Sequence, residues 1–208
     1  MSDLQQETVP VEPTVTAPAE FEYAGFWRRV AAHLIDSVAL GLALVVFVLL
    51  SLGNNSNSLY LLTLAIPAVL AIVYQLYLTT RYGATLGKMA MSVKIVRLDG
   101  SPIGFTEANW RYLPYLIFGV IGLLGNIAAF HSIPVPSIFF ELSWTERNDV
   151  LQQYQPVWAT LSMIASLLFI FVDVVMLIGS KKKLSLHDRI GNTMVIKFQP
   201  KADAKHSY

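Results

Sequence analysis

Four long apolar stretches dominate the pattern of hydrophobic and polar positions along this chain. They cover residues 34–52, 59–79, 112–130 and 157–178. Each is close to the roughly 20 residues that an α-helix needs to cross a bilayer. Pro67 lies inside the second stretch and predicts a kink there. The pattern predicts an all-α integral membrane protein, built as a bundle of four transmembrane helices.

Two shorter stretches predict a small β element beside this bundle. Residues 91–98 (MSVKIVRL) alternate apolar and basic positions and run into the turn Asp99-Gly100, which is typical of a strand that enters a turn. Residues 193–198 (TMVIKF) predict a second strand. Because neither strand could be stable alone, we expect the two to pair.

Capping signals mark the ends of further helices. Ser185 and Asp188 have the spacing of a capping box, and Gly191 suits the end of the same short helix. Thr106 with Glu107 favours a helix start before the third span. These signals predict one short helix near the C-terminus and a third span that begins before its apolar part.

The segment between the third and fourth spans has a pattern of its own. Residues 131–140 are too short to cross a membrane and contain two prolines, which favours an interfacial segment. Residues 144–155 predict a surface helix, which Ser143 and Glu146 would start.

The two ends of the chain have the composition of flexible tails. Residues 1–22 combine three prolines and five acidic residues with no Lys or Arg, so they bury too little apolar surface to fold. Such a tail is either a solubilising extension, which we favour, or a docking segment. Residues 199–208 form a second tail, and residues 23–198 form the membrane domain. No cleavable signal peptide is predicted, because the first residues lack an apolar core.

The positive charges predict the orientation in the membrane. The chain has 15 Lys and Arg residues, and 14% of its residues are charged against 54% hydrophobic. Only Arg147 lies between the third and fourth spans, whereas the other basic residues precede the first span, separate the second from the third, or follow the fourth. Both termini, the middle loop and the β element are therefore predicted to face the cytoplasm.

A polar stripe enters the first span. Arg29, His33 and Asp36 are spaced i, i+4 and i+7, which places them on one face of a helix. Asp36 and Asp173 are the only carboxylates inside the apolar spans, so both are expected to face the bundle interior. Arg29 lies roughly 10 Å along the helix from Asp36. Arg111, at the start of the third span, is therefore the expected partner of Asp36.

Two interpretations of this charged cluster stay open. Arg28 or Arg29 could pair with Asp173 or Asp188, and such ion pairs would fix helix order and neutralise buried charge. We favour this structural interpretation slightly. The same groups could instead bind a proton or a cation at the membrane boundary, where His33 would titrate near neutral pH.

The remaining motifs mainly exclude classes of binding site and of enzyme. Gly83–Lys88 (GATLGK) is one residue too short for a phosphate loop, and Met89 replaces the Ser or Thr that would hold magnesium. Gly119, Gly122 and Gly125 favour close helix packing, within the chain or between protomers. The chain has no cysteine and no hydrolase, zinc-type or nucleic-acid pattern. It is therefore predicted to be no enzyme and to bind no cofactor, metal or nucleic acid.

Three motifs in order give the chain a family resemblance. They are AGFWRRVAAHLIDSVAL, YGATLGKMAMSVKIVRLDGSPIG and LSLHDRIGNTMVI, within residues 23–198. Together they closely resemble the RDD family of bacterial membrane proteins, which is named for one arginine and two aspartates. The outer loop at residues 131–156 departs from the family pattern, since many members look shorter there.

The resemblance assigns positions in this sequence. By motif position, the arginine and the two aspartates correspond to Arg29, Asp36 and Asp188. The threonine-leucine-glycine-lysine element also matches, through Thr85, Gly87 and Lys88. The resemblance implies a location in the bacterial plasma (inner) membrane and a transport-related role, and some members are linked to sodium/proton antiport.

These observations combine into one leading hypothesis. Asp36 and Asp173 exchange a proton or cation, Arg29 and Arg111 tune their charge, and Asp188 anchors a cytoplasmic cap. Four spans are few for a complete pathway, so a homo-oligomer or a membrane partner protein is expected within the lipid bilayer. The alternative is a non-transporting scaffold whose charged cluster is structural. The transported species is left open by the sequence.

Overall fold

The described part of the chain covers most of the predicted membrane domain. The structure, a computed structural model, describes residues 21–52 and 56–198 of the 208. Residues 1–20 of the tail predicted at 1–22, and the whole tail predicted at 199–208, lie outside the described residues. So does the centre of the polar turn between the first two spans.

Eight helices and two strands make up the described residues. In chain order they are α1 (Phe26–Leu52), α2 (Asn57–Tyr82), α3 (Leu86–Ala90), β1 (Val93–Arg97), α4 (Phe105–His131), α5 (Pro136–Glu141), α6 (Trp144–Gln153), α7 (Val157–Gly179), α8 (Leu186–Ile190) and β2 (Thr193–Lys197). Helices α1, α2, α4 and α7 are long and apolar enough to cross a membrane, which confirms the four predicted spans. Helices α1 and α4 begin well before their apolar parts, because polar residues continue the same helices.

The two predicted strands pair as expected. Strands β1 and β2 are antiparallel, with Ile95 opposite Val195 at the centre of the register. The chain that leads into α1 adds to the other edge of β2, since the amide of Ala24 donates to the carbonyl of Val195 over 2.9 Å. The amide of Lys197 also donates to the carbonyl of Glu22, over 2.7 Å. The sheet therefore joins the start of α1 to the C-terminal part of the chain.

The short helices α3 and α8 pack at the same end of the bundle as the sheet, which we name the sheet end. Along the spans, α1 packs against α2, α2 against α4, and α4 against α7. Helix α3 lies against α1, and α8 lies against α4 and α7. A Cβ atom at Gly87 would lie 2.0 Å from the carbonyl oxygen of Ala32, so α3 contacts the backbone of α1. Gly191 likewise permits contact with α4, because a Cβ there would lie 2.7 Å from Cβ of Arg111.

The opposite end of the bundle is covered by α5 and α6. Phe139 and Phe140 of α5 pack with Tyr60 and Phe130 in one buried cluster. Helix α6 begins at Trp144 as predicted, after a capping box formed by Ser143. Residues 131–140 thus cover helix ends, and their interfacial position stays a prediction.

Two helix ends correct or refine the sequence analysis. Helix α4 is capped at Gly104 rather than at Thr106, and the carboxylate of Glu107 accepts from the Gly104 amide over 3.0 Å. Gly191 ends α8 as predicted, but with an ordinary φ of −84°. The left-handed residue is the next one, Asn192, at φ 55°. Close packing against Arg111, rather than a positive φ, explains the glycine.

The glycines of α4 differ in what they contact. A Cβ at Gly125 would lie 2.5 Å from Cβ of Ala159 in α7, so this glycine confirms close packing within the chain. At Gly119 and Gly122 an added Cβ would have no described atom within 4 Å. Only one of the three glycines therefore allows two described spans to approach.

We expect Gly125→Ala to lower the unfolding temperature of the detergent-purified protein. The added methyl overpacks the contact between α4 and α7, at a cost of about 1–3 kcal/mol. The matched control is Gly41→Ala inside span α1, which has open space for the methyl. Equal unfolding temperatures for the two variants would contradict the packing described here.

Candidate functional site

Asp188 lies between two arginines at the sheet end. Its Oδ2 accepts from Nη1 of Arg29 over 2.6 Å, and its Oδ1 pairs with Nη1 of Arg111. The carboxylate has no solvent exposure, and both guanidiniums are buried. Of the pairings of Arg28 or Arg29 with Asp173 or Asp188 that the sequence left open, the structure forms Arg29 with Asp188. The ion pairs join α1 and α4 through a residue of α8.

The same carboxylate also caps α8. Its Oδ2 accepts from the amide of Ser185 over 3.0 Å, and the Asp188 amide donates to Oγ of Ser185 over 3.3 Å. This confirms the predicted capping box. Burial alone would raise the pKa of Asp188, but Arg111 and Arg29 more than offset it and hold that pKa well below its ordinary value. Asp188 is therefore a permanent anion within the site.

Arg29 donates its other hydrogen bonds to two backbone carbonyls, one before α1 and one before α8. Its Nη2 donates to the carbonyl of Lys183 over 2.6 Å, and its Nε donates to the carbonyl of Ala24 over 3.2 Å. Ala24 belongs to the segment that pairs with β2. The arginine therefore fixes the position of α1 relative to the sheet and to the loop before α8.

A histidine extends the site from Arg111 to α7. Nη2 of Arg111 lies 2.8 Å from Nε2 of His187, and Nδ1 of His187 lies 2.7 Å from Oδ1 of Asp173. A guanidinium only donates, so Nε2 is the acceptor and Nδ1 carries the proton. Burial lowers the pKa of His187, and Arg111 lowers it further. Five side chains are therefore linked in series by these contacts, and we name this series the polar chain: Arg29, Asp188, Arg111, His187 and Asp173.

Asp36 has different partners from those expected. The prediction that Arg111 pairs with Asp36 is wrong, because Asp188 and His187 occupy that guanidinium. Asp36 instead accepts from the hydroxyls of Tyr74 and Thr85, each over 2.6 Å, and from the amide of Gly87 over 2.7 Å. All three donors are neutral. Asp36 thus fixes the start of α3 against α1.

Lys88 is the unsatisfied cation of the site. It follows the Gly87 contact in α3 and is only 5% exposed. Its ammonium has no hydrogen-bond or ion-pair partner among the residues that the structure describes. Burial lowers the pKa of Lys88 to about 7, and nearby Arg111 acts in the same direction. This lysine therefore changes charge near neutral pH.

A cavity of about 300 Å³ lies beside Lys88, between α1, α2, α4 and α8. The residues that line it are His33, Gln75, Thr79, Lys88, Ala108, Arg111, Tyr112, Tyr115 and His187. A second cavity, of about 80 Å³, also includes Lys88 and reaches Asp173. Lys88 therefore borders both spaces.

The three residues of the polar stripe of α1, Arg29, His33 and Asp36, have different surroundings in the fold. Arg29 joins Asp188, Asp36 joins α3, and the exposed His33 lines both cavities. His187 was not among the predicted site residues, although it lies beside Asp188 in the LSLHD motif. The sequence analysis also missed the role of Tyr74, for which an apolar span gave no signal.

Asp188→Asn should abolish or strongly reduce the yield of folded protein. The substitution leaves two buried guanidiniums without their anion, a loss of about 3–5 kcal/mol. Monodispersity and thermal unfolding in detergent measure the effect. Asp99→Asn is the control, because Asp99 is exposed and bonds only within its turn. A stable Asp188→Asn protein would contradict a structural role for the ion pairs.

Lys88→Met should raise the unfolding temperature at neutral pH. The unfolded chain holds the Lys88 proton up to about 10.5, whereas the folded protein releases it near 7. Between these values the unfolded state binds more protons, so wild-type stability rises with pH. The variant should lose this part of the rise, whereas Lys182→Met, at an exposed lysine, should keep it. A lower unfolding temperature for Lys88→Met across this range would refute the cost assigned to the buried ammonium.

Comparisons with known proteins agree with the motifs gathered at this site. The chain is similar to the uncharacterized protein YxaI of Bacillus subtilis (strain 168), 26% identical over 125 residues, which cover 50% of this chain and 83% of that protein. It is also similar to the uncharacterized protein YckC of the same organism, 26% identical over 112 residues, with 51% and 71% covered. No solved structure matches. The RDD family profile matches residues 23–192, so the chain belongs to the RDD family of membrane proteins.

Proposed function

We propose that this protein has a transport-related role in which protons exchange at the cavity beside Lys88. The observation that carries the proposal is the buried Lys88 itself, which lacks a partner among the described residues and borders both cavities. Ionisable groups with strongly shifted pKa values cluster at functional sites. A lysine with a pKa of about 7 binds and releases a proton at physiological pH.

This proposal moves the exchanging group away from the carboxylates. Asp36 accepts three hydrogen bonds from protein groups, and Asp173 accepts two from His187. Asp188 is held by two arginines. Binding a cation at these carboxylates would compete with bonds that organise the fold. Lys88 changes charge without breaking any such bond.

The orientation and assembly belong to the same proposal. The sheet end carries nearly all basic residues of the described chain and would face the cytoplasm of a bacterial plasma membrane. Lys88 would then exchange protons with the cytoplasm. Gly119 and Gly122 have no described neighbour for an added Cβ, which supports a homo-oligomer that uses this face of α4.

A second candidate function is a membrane scaffold without transport. It is favoured by the polar chain, in which every carboxylate is satisfied by the protein and joins different helices. In that case the charges position helices, and a partner protein would bind elsewhere. Lys88 remains unexplained by this candidate, since a scaffold gains nothing from a buried, unpaired ammonium.

Reconstituted vesicles with an internal pH dye separate the two candidates. We expect wild-type protein and Lys182→Met to dissipate an imposed pH gradient faster than empty vesicles, with and without added sodium as separate arms. Lys88→Met, shown to be folded by its thermal unfolding, should reduce the rate to that of empty vesicles. If wild-type protein carries no flux, or folded Lys88→Met carries all of it, the proton-exchange proposal is wrong.

A further inference from the structure

The large cavity is lined by polar side chains that the protein leaves without partners. Five of them make no side-chain hydrogen bond to any residue that the structure describes: His33, Gln75, Thr79, Lys88 and Tyr112. Thr79 is only 2% exposed, and its buried Oγ1 has no partner among the described residues. Buried polar groups are normally hydrogen-bonded. Thr79 and Lys88 are the buried members of this set, whereas Gln75 and Tyr112 are half-buried and His33 is exposed. Two buried polar groups without a described partner on one cavity indicate a site for a ligand.

Each of these five side chains can donate a hydrogen bond. The Lys88 ammonium and the Arg111 guanidinium only donate, whereas the hydroxyl, amide and imidazole groups on the same wall can donate or accept. Arg111 uses three N–H groups in its contacts with Asp188, Thr193 and His187, which leaves two of its five. Among the described residues that line the cavity, none is a carboxylate. The complementary ligand is rich in acceptors.

The three carboxylates of the site bind groups other than Lys88. Arg29, Lys88 and Arg111 are balanced by three carboxylates, none of which lines this cavity. Asp36 contacts the start of α3, and Asp173 contacts the far side of His187. Of the two cations on the cavity wall, Arg111 is paired with Asp188, whereas Lys88 has no ion-pair partner among the residues that the structure describes.

We infer that this cavity binds a small oxyanion, a phosphate or carboxylate group carried either by a free solute or by a phospholipid. This inference rests on the proposed function of the same cavity and names its ligand class. It also differs from the cation that the sequence suggested. The volume of about 300 Å³ is at the lower end of the range for small-molecule sites, roughly 300–1,000 Å³.

The protonation state of Lys88 links anion binding to proton binding. The charged and titratable groups that face it are Arg29, His33 and Asp36 from α1, Arg111 from α4, Asp173 from α7, and His187 and Asp188 from α8. Lys88 is a cation below about pH 7 and neutral above it. An anion favours the cationic form, so affinity should fall as the pH rises.

Calorimetric titration with sulfate tests the inference on full-length protein in a phosphate-free maltoside detergent. Sulfate keeps its charge across this pH range, so any pH dependence belongs to the protein. We expect saturable binding that weakens about tenfold from roughly pH 6 to roughly pH 8, as one proton linked near pH 7 requires. Lys182→Met should bind like wild type. His33→Gln should keep most of the pH dependence.

Lys88→Met is the decisive variant. It should weaken sulfate binding at least about tenfold near pH 6 and remove the difference between the two pH values, while thermal unfolding shows that it is folded. Absence of saturable sulfate binding by wild-type protein in both its purified and delipidated forms would overturn the inference. So would unchanged affinity in folded Lys88→Met.

The source of the oxyanion is resolved by native mass spectrometry of the same samples. A phospholipid retained by wild type and Lys182→Met, but lost from Lys88→Met and displaced by sulfate, identifies a headgroup as the ligand. Sulfate binding without retained lipid identifies a free anion. Sulfate binding without proton flux in vesicles would remove only the proposed function. Proton flux without sulfate binding would remove only this inference.

Discussion

Asp188 is a carboxylate without solvent exposure that neutralises two buried guanidiniums, from Arg29 and Arg111. Breaking a buried pair of this kind leaves an uncompensated charge, which costs far more than the intact pair contributes. The two arginines belong to α1 and α4, whereas Asp188 caps α8. One residue near the C-terminus therefore fixes the distance between two spans. The position of β2, which starts five residues later, follows from the same contact.

The binding of both arginines to Asp188 determines the partners of the other charged groups in the site. Because Arg111 is bound by Asp188 and His187, it is not free to neutralise Asp36. Asp36 is satisfied by Tyr74, Thr85 and Gly87 instead, which draws α3 onto α1. That contact buries the next residue, Lys88, in a region where all three nearby carboxylates have other partners. The unpaired lysine is thus a consequence of how the family motifs are arranged.

The sequence predicted the features that depend on local pattern. The spans, the strands and the capping boxes at Ser143 and Ser185 follow from periodicity or spacing. Charge alone left four arginine–aspartate pairings open, and the pair of Arg29 with Asp188 is one of them. The partner of Asp36 was mispredicted, because a search for opposite charges overlooks neutral donors in a turn. Lys88 was predicted as a charge that sets topology and as part of the family motif, but not as a buried group. Its burial depends on the approach of α3 to α1 at Gly87, which spacing alone does not reveal.

Energetics distinguish the polar chain from the cavity. In the polar chain each charge has a partner, and its bonds are sufficient reason for its presence. At Lys88, a methionine of similar length would avoid the desolvation that lowers the lysine pKa to about 7. A fold selected for stability alone would favour that methionine. A bound ligand would account for the ammonium, and the donors of Lys88 and Arg111 on the same cavity fit the acceptor-rich anion proposed above.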